Sequence, residues 1–126
     1  MHGHYDVVSK MLAYGADVNE RGMDGMTPLL YAVEYNDAKM VVQLVRLGAN
    51  VKAIDTRCSQ NALHYVAQSN NYGCQMEWAE WLLLHGADAT QEDDFGNVPF
   101  KLADGAVRGL LENAYNSVDE AMRRGI

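Results

Sequence analysis

The sequence predicts an all-α solenoid of stacked helix-turn-helix units with projecting hairpin-like loops. One phrase occurs three times, as YGADV, LGANV and HGADA. A second phrase begins as TPLLYAV at Thr27 and has counterparts, NALHYVA and VPFKLAD, that begin at Asn61 and Val98. Both phrases repeat at spacings between 33 and 38 residues. A period of this length is typical of an architecture in which each unit packs only against its neighbours.

The second helix of each unit is predicted from apolar residues at helical spacing. Residues 41–45 read VVQLV and are followed by Gly48, and residues 78–83 read WAEWLL and are followed by Gly86. Glycine adopts the left-handed conformation in which helices commonly stop. We therefore expect both helices to end at these glycines. We also expect Trp78 to lie in the core and Trp81 to pack within the molecule, with contact to a partner as the alternative for Trp81.

The first helix of each unit is predicted to begin at the second phrase. Thr27 is a favourable N-cap, and Pro28 fits the first turn because its missing N–H needs no partner there. The segments between the two phrases, such as NERGMDGM and TQEDDFGN, are rich in glycine and polar residues and are predicted to be turns.

These phrases, in this order, resemble the ankyrin repeat, whose pattern reads roughly D-x-x-G-x-T-P-L-H-x-A, then G-H, V-x-x-L-L and G-A-D-V-N. The matching segments are residues 3–4, 7–12, 15–19, 24–32, 48–51, 62–67, 86–89 and 95–103. The resemblance implies one domain over residues 1–126. It is divided into a partial N-terminal repeat at 1–21, a repeat at 22–54, a repeat with an insertion between its helices at 55–92, and a C-terminal capping repeat and tail at 93–126.

The departures from the family pattern are concentrated in two places. Leu30 replaces the histidine of the first TPLH phrase, whereas His64 is retained in the next unit, where we interpret it as a structural hydrogen-bonding residue. The third unit is about four residues longer than the pattern, because QSNNYGCQME separates its helices. This insertion with Tyr72 at its tip is either a tolerated surface loop or a contact loop. Asn19 is expected to close a turn, with asparaginyl hydroxylation, which the resemblance also implies, as the alternative.

Composition narrows the class of partner. The net charge is −7 and the pI is about 4.9, which disfavours nucleic acid as a partner. Residues 58–100 contain six carboxylates and no lysine or arginine, so this stretch either attracts a basic partner or only keeps the domain soluble. No apolar run is long enough to span a membrane. With only two cysteines, the chain is expected to be intracellular, in the cytoplasm, the nucleus or both.

The sequence shows no pattern typical of an enzyme. There is no phosphate-binding Gly-Lys-Ser/Thr loop, no G-x-S-x-G nucleophile turn and no pair of histidines and cysteines at zinc spacing. We therefore expect no catalytic residues, no cofactor and no metal site.

The resemblance instead implies a non-catalytic scaffold that binds a protein or peptide through a concave groove and the loop tips. The acidic stretch at residues 58–100 would suit a basic partner. The alternative is a structural or regulatory module of a larger protein that binds its own chain or self-associates, and the oligomeric state is left open. The candidate partner-binding residues are Arg21, Met23, Asp24, Met26, Glu34, Tyr35, Ile54, Thr56, Arg57, Gln60, Gln68, Ser69, Tyr72, Glu92, Asp93, Asp94, Phe95 and Asn97.

Overall fold

The repeated phrases form pairs of packed helices in the computed structural model, which describes residues 17–68 and 75–123, with the side chains of the last helix described up to residue 117. The α-helices in these ranges are α1 (Pro28–Glu34), α2 (Ala38–Arg46), α3 (Ala62–Ala67), α4 (Gln75–Leu84) and α5 (Gly105–Arg123). Two short 3₁₀ turns, Met23–Gly25 and Pro99–Leu102, precede α1 and α5. The described ranges contain no β-strand, as the all-α prediction requires. The insertion lies largely outside them.

Polar side chains begin the helices. The Thr27 hydroxyl accepts the backbone N–H of Leu30 at 3.2 Å, which confirms Thr27 as the N-cap of α1. Asp37 caps α2 in the same way. At α3, Asn61 accepts the N–H of His64 through its side chain while the His64 ring accepts the N–H of Asn61, each at 3.1 Å. This reciprocal pair satisfies two backbone donors that a helix start leaves without intrahelical partners.

The glycine stops are also confirmed. Gly48 and Gly86 have φ values of +96° and +94°, in the left-handed region that glycine adopts without a steric penalty. The residues that follow them return their N–H groups to the helix, with Ala49 donating to the Leu44 carbonyl and Ala87 to the Leu82 carbonyl, each at 3.0 Å. Each turn therefore closes on its own helix before the chain enters the next loop.

Helix packing produces one continuous core. Within units, α1 packs on α2, α3 on α4, and the second 3₁₀ turn on α5. Between units, α3 packs on both α1 and the second 3₁₀ turn, and α4 packs on α5. The fully buried aliphatic side chains include Leu29, Leu30, Met40, Leu44, Leu63, Leu82 and Leu111. Because each such side chain contributes about 1.5–3 kcal/mol by leaving water, the shared faces between units hold the solenoid together.

The last unit differs from the prediction. The VPFKLAD phrase was expected to form a full first helix, but only the 3₁₀ turn Pro99–Leu102 forms. Val98 stands where the earlier units have Thr27 and Asn61, and no side chain caps this turn. Without a cap, a short helix loses about 0.5–2 kcal/mol. The chain becomes extended at Ala103 and then enters the long helix α5.

His64 joins α3 to the next unit. Its ring is fully buried, and Nε2 donates to the Asn97 carbonyl at 2.8 Å while Nδ1 accepts from Asn61. This pairing requires the neutral ring. Burial lowers the pKa of His64 below its ordinary value, although the Asn97 carbonyl and the carboxylates of Asp93 and Asp55 act in the opposite direction. The structural role predicted for His64 is confirmed.

Gly25→Ala is expected to destabilise the protein more than Gly48→Ala. Both glycines have positive φ, which costs other residues about 1–2 kcal/mol. A Cβ at Gly25 would also lie 2.7 Å from the backbone nitrogen of Thr56, whereas nothing lies within 4 Å of one at Gly48. Urea denaturation should therefore show an additional loss of at least about 1 kcal/mol for Gly25→Ala. Equal losses would mean that this contact does not constrain the chain.

The free energy of unfolding is expected to fall as the pH drops from about 7 to about 5. Unfolded histidine takes up a proton near pH 6.5, whereas buried His64 does so only at lower pH, so the unfolded state binds more protons in this window. His64→Gln should lower stability at neutral pH by about 1–3 kcal/mol and flatten this dependence. His85→Gln, on an exposed residue of the α4 end, is the control and should keep the slope. An unchanged slope in His64→Gln would contradict the assignment.

Candidate functional site: the loop row

Three hairpin loops lie side by side along one edge of the solenoid, and we call them the loop row: residues 22–26, 55–60 and 93–97. Each is closed by a backbone hydrogen bond from its first residue to its last, with N···O distances of 2.8, 2.9 and 2.9 Å respectively. Gly25 and Gly96 take the left-handed position in the first and third loops. The second loop has one residue more, and Ser59 takes that position at φ +60°.

Asp55 organises the second loop from inside. Its Oδ1 accepts the N–H groups of Cys58 and Gln60, and its Oδ2 accepts the Tyr65 hydroxyl at 2.6 Å. Burial alone would raise the pKa of Asp55, but these hydrogen bonds outweigh it and hold the pKa below its usual value. Burial and the same carboxylate raise the pKa of Tyr65. Asp55 therefore stays ionised and Tyr65 stays protonated, and the hydrogen bond between them stabilises the second loop.

Asp93 has the same role in the third loop. Its Oδ1 accepts the N–H groups of Phe95 and Asn97, each at 2.9 Å, and Gln60 reaches its Oδ2 at 3.3 Å from the neighbouring loop. Burial opposes ionisation of Asp93, but these hydrogen bonds prevail and the pKa lies below its usual value. Gly22 stands at the corresponding place in the first loop, so that loop has no such carboxylate.

Backbone hydrogen bonds join the loops to one another. The N–H of Thr56 donates to the Asp24 carbonyl at 2.8 Å, and the N–H of Asp94 donates to the Cys58 carbonyl at 2.9 Å. The Ser59 hydroxyl adds a bond of 2.7 Å to the Asp94 carboxylate. Each loop is thus fixed relative to the next, and the tips form a rigid surface rather than three independent loops.

The tips of the loop row present apolar side chains to solvent. Met23 is 80% exposed and Phe95 is 78% exposed. Arg57 is exposed at the tip of the middle loop. The remaining exposed candidates in the loops are Asp24, Thr56, Glu92 and Asp94. Singly exposed apolar side chains are common on protein surfaces, so it is the place of Met23 and Phe95 on hydrogen-bonded loops that makes them candidate contacts.

The Arg21 side chain is exposed, but its guanidinium is held by two backbone carbonyls. Its guanidinium donates to the carbonyls of Gly25, at 3.0 Å, and Ile54. It therefore links the first loop to the entrance of the second, and Ile54 itself is half-buried. Arg21 and Ile54 lie beside the loop tips, where their role in the fold is structural.

Two predicted contact residues require correction. Met26 was expected to face a partner, but it is only 6% exposed and lies in the core, where its sulfur is 2.9 Å from the Tyr65 hydroxyl oxygen, which donates to Asp55. Asp93 was expected to belong to an exposed acidic loop, but it is also 6% exposed, because its carboxylate is turned inward to bind backbone N–H groups. The exposed acidic pair at this loop is therefore Glu92 and Asp94.

The ends of the first helices continue the surface from the loop row. Glu34, Tyr35 and Gln68 are exposed at the ends of α1 and α3. Gln68 donates to the Gln60 side chain at 3.1 Å, which connects the end of α3 to the second loop. Gln60 and Asn97 are half-buried. Ser69 and Tyr72 lie outside the described residues.

Asn19 bridges two turns on the other side of the stack. Its side-chain oxygen accepts the N–H of Asn50 at 2.6 Å and its side-chain nitrogen donates to the Gly48 carbonyl at 3.3 Å. It is exposed, and its side chain bonds to the turn of the next unit, whereas in its own turn the Asp17 carboxylate accepts the backbone N–H of Asn19 at 2.9 Å.

Sequence reasoning missed the significance of Tyr31 and partly misjudged Trp78. Tyr31 is 41% exposed beside a groove along α1. The sequence does contain a signal for Tyr31, because Tyr31 occupies in the TPLLYAV phrase the position that Tyr65 occupies in NALHYVA. Trp78 is half-buried rather than a full core residue, and it donates its indole N–H to Asn36 at 2.6 Å. Trp81 packs within the molecule as predicted, stacked on His85 with ring centroids 3.9 Å apart.

Within the described ranges, no group of three or more histidine, cysteine, aspartate or glutamate side chains is placed to hold a metal ion. The helices described there include none that combines the length and the apolar character needed to cross a bilayer.

Comparison with known proteins identifies the repeats. A family model described as "Ankyrin repeats (3 copies)" matches residues 1–93. The chain is 31% identical over 129 residues to Neurogenic locus notch homolog protein 2 of Homo sapiens, with 86% of this chain and 5% of that protein covered. It is 32% identical over 121 residues to Transient receptor potential cation channel subfamily A member 1 of Drosophila melanogaster, with 87% and 10% covered.

A third relative is the E3 ubiquitin-protein ligase XBAT33 of Arabidopsis thaliana, which is 25% identical over 134 residues, with 96% of this chain and 26% of that protein covered. The chain thus spans between 5% and 26% of the length of these three relatives. The family match covers most of the chain and agrees with the all-α stack of helix pairs. This chain belongs to the ankyrin-repeat family, whose repeats generally mediate protein–protein interaction.

Proposed function

We propose that the chain is a non-catalytic binding module that holds a segment of a partner protein across the loop row and the adjoining ends of α1 and α3. The observation that carries this proposal is the exposure of Met23 and Phe95 at the two ends of the row. Neither side chain is needed to fill the core, so their exposure has no structural benefit. Aromatic and long apolar side chains of this kind dominate the binding energy of protein interfaces.

The rigidity of the loop row supports the same function. The backbone bonds from Thr56 to Asp24 and from Asp94 to Cys58 fix the tips before any partner arrives. A partner then pays little of the entropy cost of ordering loops, which is a major loss in protein association. The preorganised frame therefore lets a small number of exposed side chains give useful affinity.

Charge indicates the chemistry of the partner. Glu92 and Asp94 precede Phe95 at the start of the third loop, and residues 58–100 contain no lysine or arginine that could neutralise them from nearby sequence. We propose that this end of the row receives lysine or arginine side chains, which would speed the encounter and set the orientation of the partner. Arg57, exposed at the middle loop, would receive an acidic or polar side chain.

The second candidate is a module that binds another segment of the same, larger protein. The small share of each relative that this chain covers supports it. The surface and its chemistry are the same in both cases, and only the origin of the bound segment differs. An intracellular setting belongs to this proposal in either form.

Replacement of the two exposed apolar groups should abolish capture of the partner. The double variant Met23→Ala with Phe95→Ala is expected to lose at least about tenfold in partner recovered by affinity capture from a lysate of the source cells, because the proposed interface then loses both of its apolar contacts at the loop tips. Leu84→Ala is the matched control, since Leu84 is 83% exposed at the end of α4. It should retain capture, and equal loss in both proteins would overturn the assignment of the loop row.

Glu92→Gln should weaken capture of a basic partner and reduce its dependence on salt. Binding is compared at about 0.05 M and about 0.5 M NaCl, because added salt screens exposed charges. Glu80→Gln changes the same charge on an exposed residue of α4 and should leave capture unchanged. If Glu92→Gln and Glu80→Gln weaken capture equally, overall charge rather than the loop row determines binding, and the basic partner is not bound where we place it.

A further inference from the structure

We propose that the outer edge of the third loop docks a tight turn of the partner protein that begins with aspartate followed by lysine or arginine. The docked turn would lie beside the third loop as the third loop lies beside the second. Three groups form this edge, and they are the Phe95 backbone carbonyl, the Asn97 side-chain amide and the Lys101 ammonium. The inference rests on the proposed function, since it specifies which segment of the partner is bound at that end of the loop row.

The loops of the row are joined by one backbone bond that is repeated. The second residue of a loop donates its N–H to the carbonyl of the residue before the left-handed position of the preceding loop. The donor and acceptor pairs of this kind are Thr56 with Asp24 and Asp94 with Cys58. Gly96 takes the left-handed position in the third loop, so the next carbonyl in the series is that of Phe95.

Two side chains at and after the second loop complete its join to the third. Gln60, the last residue of its loop, donates to the Asp93 carboxylate at 3.3 Å, and the His64 ring donates to the Asn97 carbonyl at 2.8 Å. Asn97 is the last residue of the third loop, and Lys101 occupies in VPFKLAD the position that His64 occupies in NALHYVA. Both side chains can donate hydrogen bonds as their counterparts do. An aspartate that begins a docked turn would accept the Asn97 amide, and the last carbonyl of the turn would accept from Lys101.

The three groups of the edge are available to a partner. Among the described residues, nothing donates to the Phe95 carbonyl, and no acceptor lies within hydrogen-bond distance of the Asn97 side-chain amide or the Lys101 ammonium. Lys101 is exposed and Asn97 is half-buried. Main-chain bonds to such an edge give affinity, and the side chains beside them give specificity.

The last helix does not form a fourth loop beside this edge. In the two earlier units a glycine ends the second helix four residues after a fully buried leucine, and these pairs are Leu44 with Gly48 and Leu82 with Gly86. In the last unit the buried leucine is Leu111, and the fourth residue after it is Tyr115. α5 continues past Tyr115 to Arg123, and the Tyr115 ring packs on Phe100 with centroids 5.5 Å apart. The described chain is therefore helical where the earlier units turn into their next loop, and a docked turn has to come from another segment.

Glu92 favours a basic second residue in the docked turn. In the third loop this residue is Asp94, whose carboxylate accepts a bond of 2.7 Å from Ser59 at the left-handed position of the second loop. The left-handed position of the third loop is Gly96, and a Cβ there would lie 3.9 Å from Oε1 of Glu92. The second residue of a docked turn would thus meet the exposed Glu92 carboxylate, which attracts lysine or arginine and repels aspartate.

The probe is a cyclic peptide in which a D-proline–proline unit closes the turn Asp-Lys-Ser-Gly-Asn. This sequence is the third loop, Asp-Asp-Phe-Gly-Asn, with lysine at the second residue and serine in place of the apolar tip. Two comparison peptides begin Ala-Lys and Asp-Asp and are otherwise identical. Each is titrated into the ¹⁵N-labelled full chain, and ¹H–¹⁵N NMR follows the Gly96 backbone N–H, which reports on the Phe95 carbonyl, and the Asn97 side-chain amide.

The Asp-Lys peptide should shift both signals and bind at least about fivefold more tightly than either comparison peptide, because each comparison lacks one of the two side-chain contacts. Lys101→Met and Glu92→Gln in the protein should each weaken it at least about threefold. Lys52→Met and Glu80→Gln remove the same charges from exposed residues elsewhere, and these matched controls should bind as the native protein does. Circular dichroism checks that all variants retain their helices.

Four results would overturn the proposal. The Asp-Lys peptide leaves the Gly96 and Asn97 signals unmoved, it shifts the signals of Met23 and Arg57 instead, or the three peptides bind equally. The fourth is self-association in analytical ultracentrifugation that Lys101→Met abolishes, which would make a second copy the occupant of the edge. Capture that still depends on Met23 and Phe95 would then support the proposed function without the docked turn, whereas peptide binding without such capture would overturn the role of the loop tips.

Discussion

The solenoid depends on polar contacts that pass from one unit to the next, in addition to the hydrogen bonds that close each loop. The His64 ring is buried in α3, yet its Nε2 donates to the Asn97 carbonyl of the following loop at 2.8 Å. Within the same repeat, Asn61 donates its side-chain N–H to the Asp88 carbonyl at 2.8 Å. Burying these groups without partners would cost about 1–3 kcal/mol each. Apolar packing brings the units together, and directional hydrogen bonds between units fix the position of each unit relative to its neighbour.

The same constraint explains why the loop row is rigid and why its tips are free for recognition. Carboxylates inside the loops, such as those of Asp55 and Asp93, bind backbone N–H groups and turn their charge inward. The backbone of each tip is bonded to its neighbour. Apart from the bond between Ser59 and the Asp94 carboxylate, this frame is made by backbone groups and by carboxylates inside the loops. Evolution of a new binding preference can therefore change Met23, Arg57 or Phe95 without altering the fold, as is general for loops on a stable scaffold.

Much of this could be predicted from the sequence, for identifiable reasons. The helix stops at Gly48 and Gly86 and the cap at Thr27 follow from local backbone chemistry, which a phrase of a few residues contains. The burial of Met26 and Asp93 could not be inferred in this way, because it involves contacts with Tyr65 and Gln60, which lie in neighbouring units. The left-handed Ser59 was not foreseen either, since serine rather than glycine fills that position in a longer loop. Short sequence phrases predict the backbone geometry of helix starts and stops, whereas the exposure of a side chain also depends on its contacts with neighbouring units.

The two proposed contacts have different physical origins. The outer edge of the third loop presents groups that join one loop to the next elsewhere in the repeat, so its polar character follows from the architecture, and its chemistry specifies a turn as the occupant. Met23 and Phe95 lie on tips that stacking never covers, and the fold would be equally stable with polar residues there. Their exposure therefore argues more strongly for selection by a partner, although it specifies that partner less. For this reason the edge is tested with a defined peptide, whereas the loop tips are tested by what they capture.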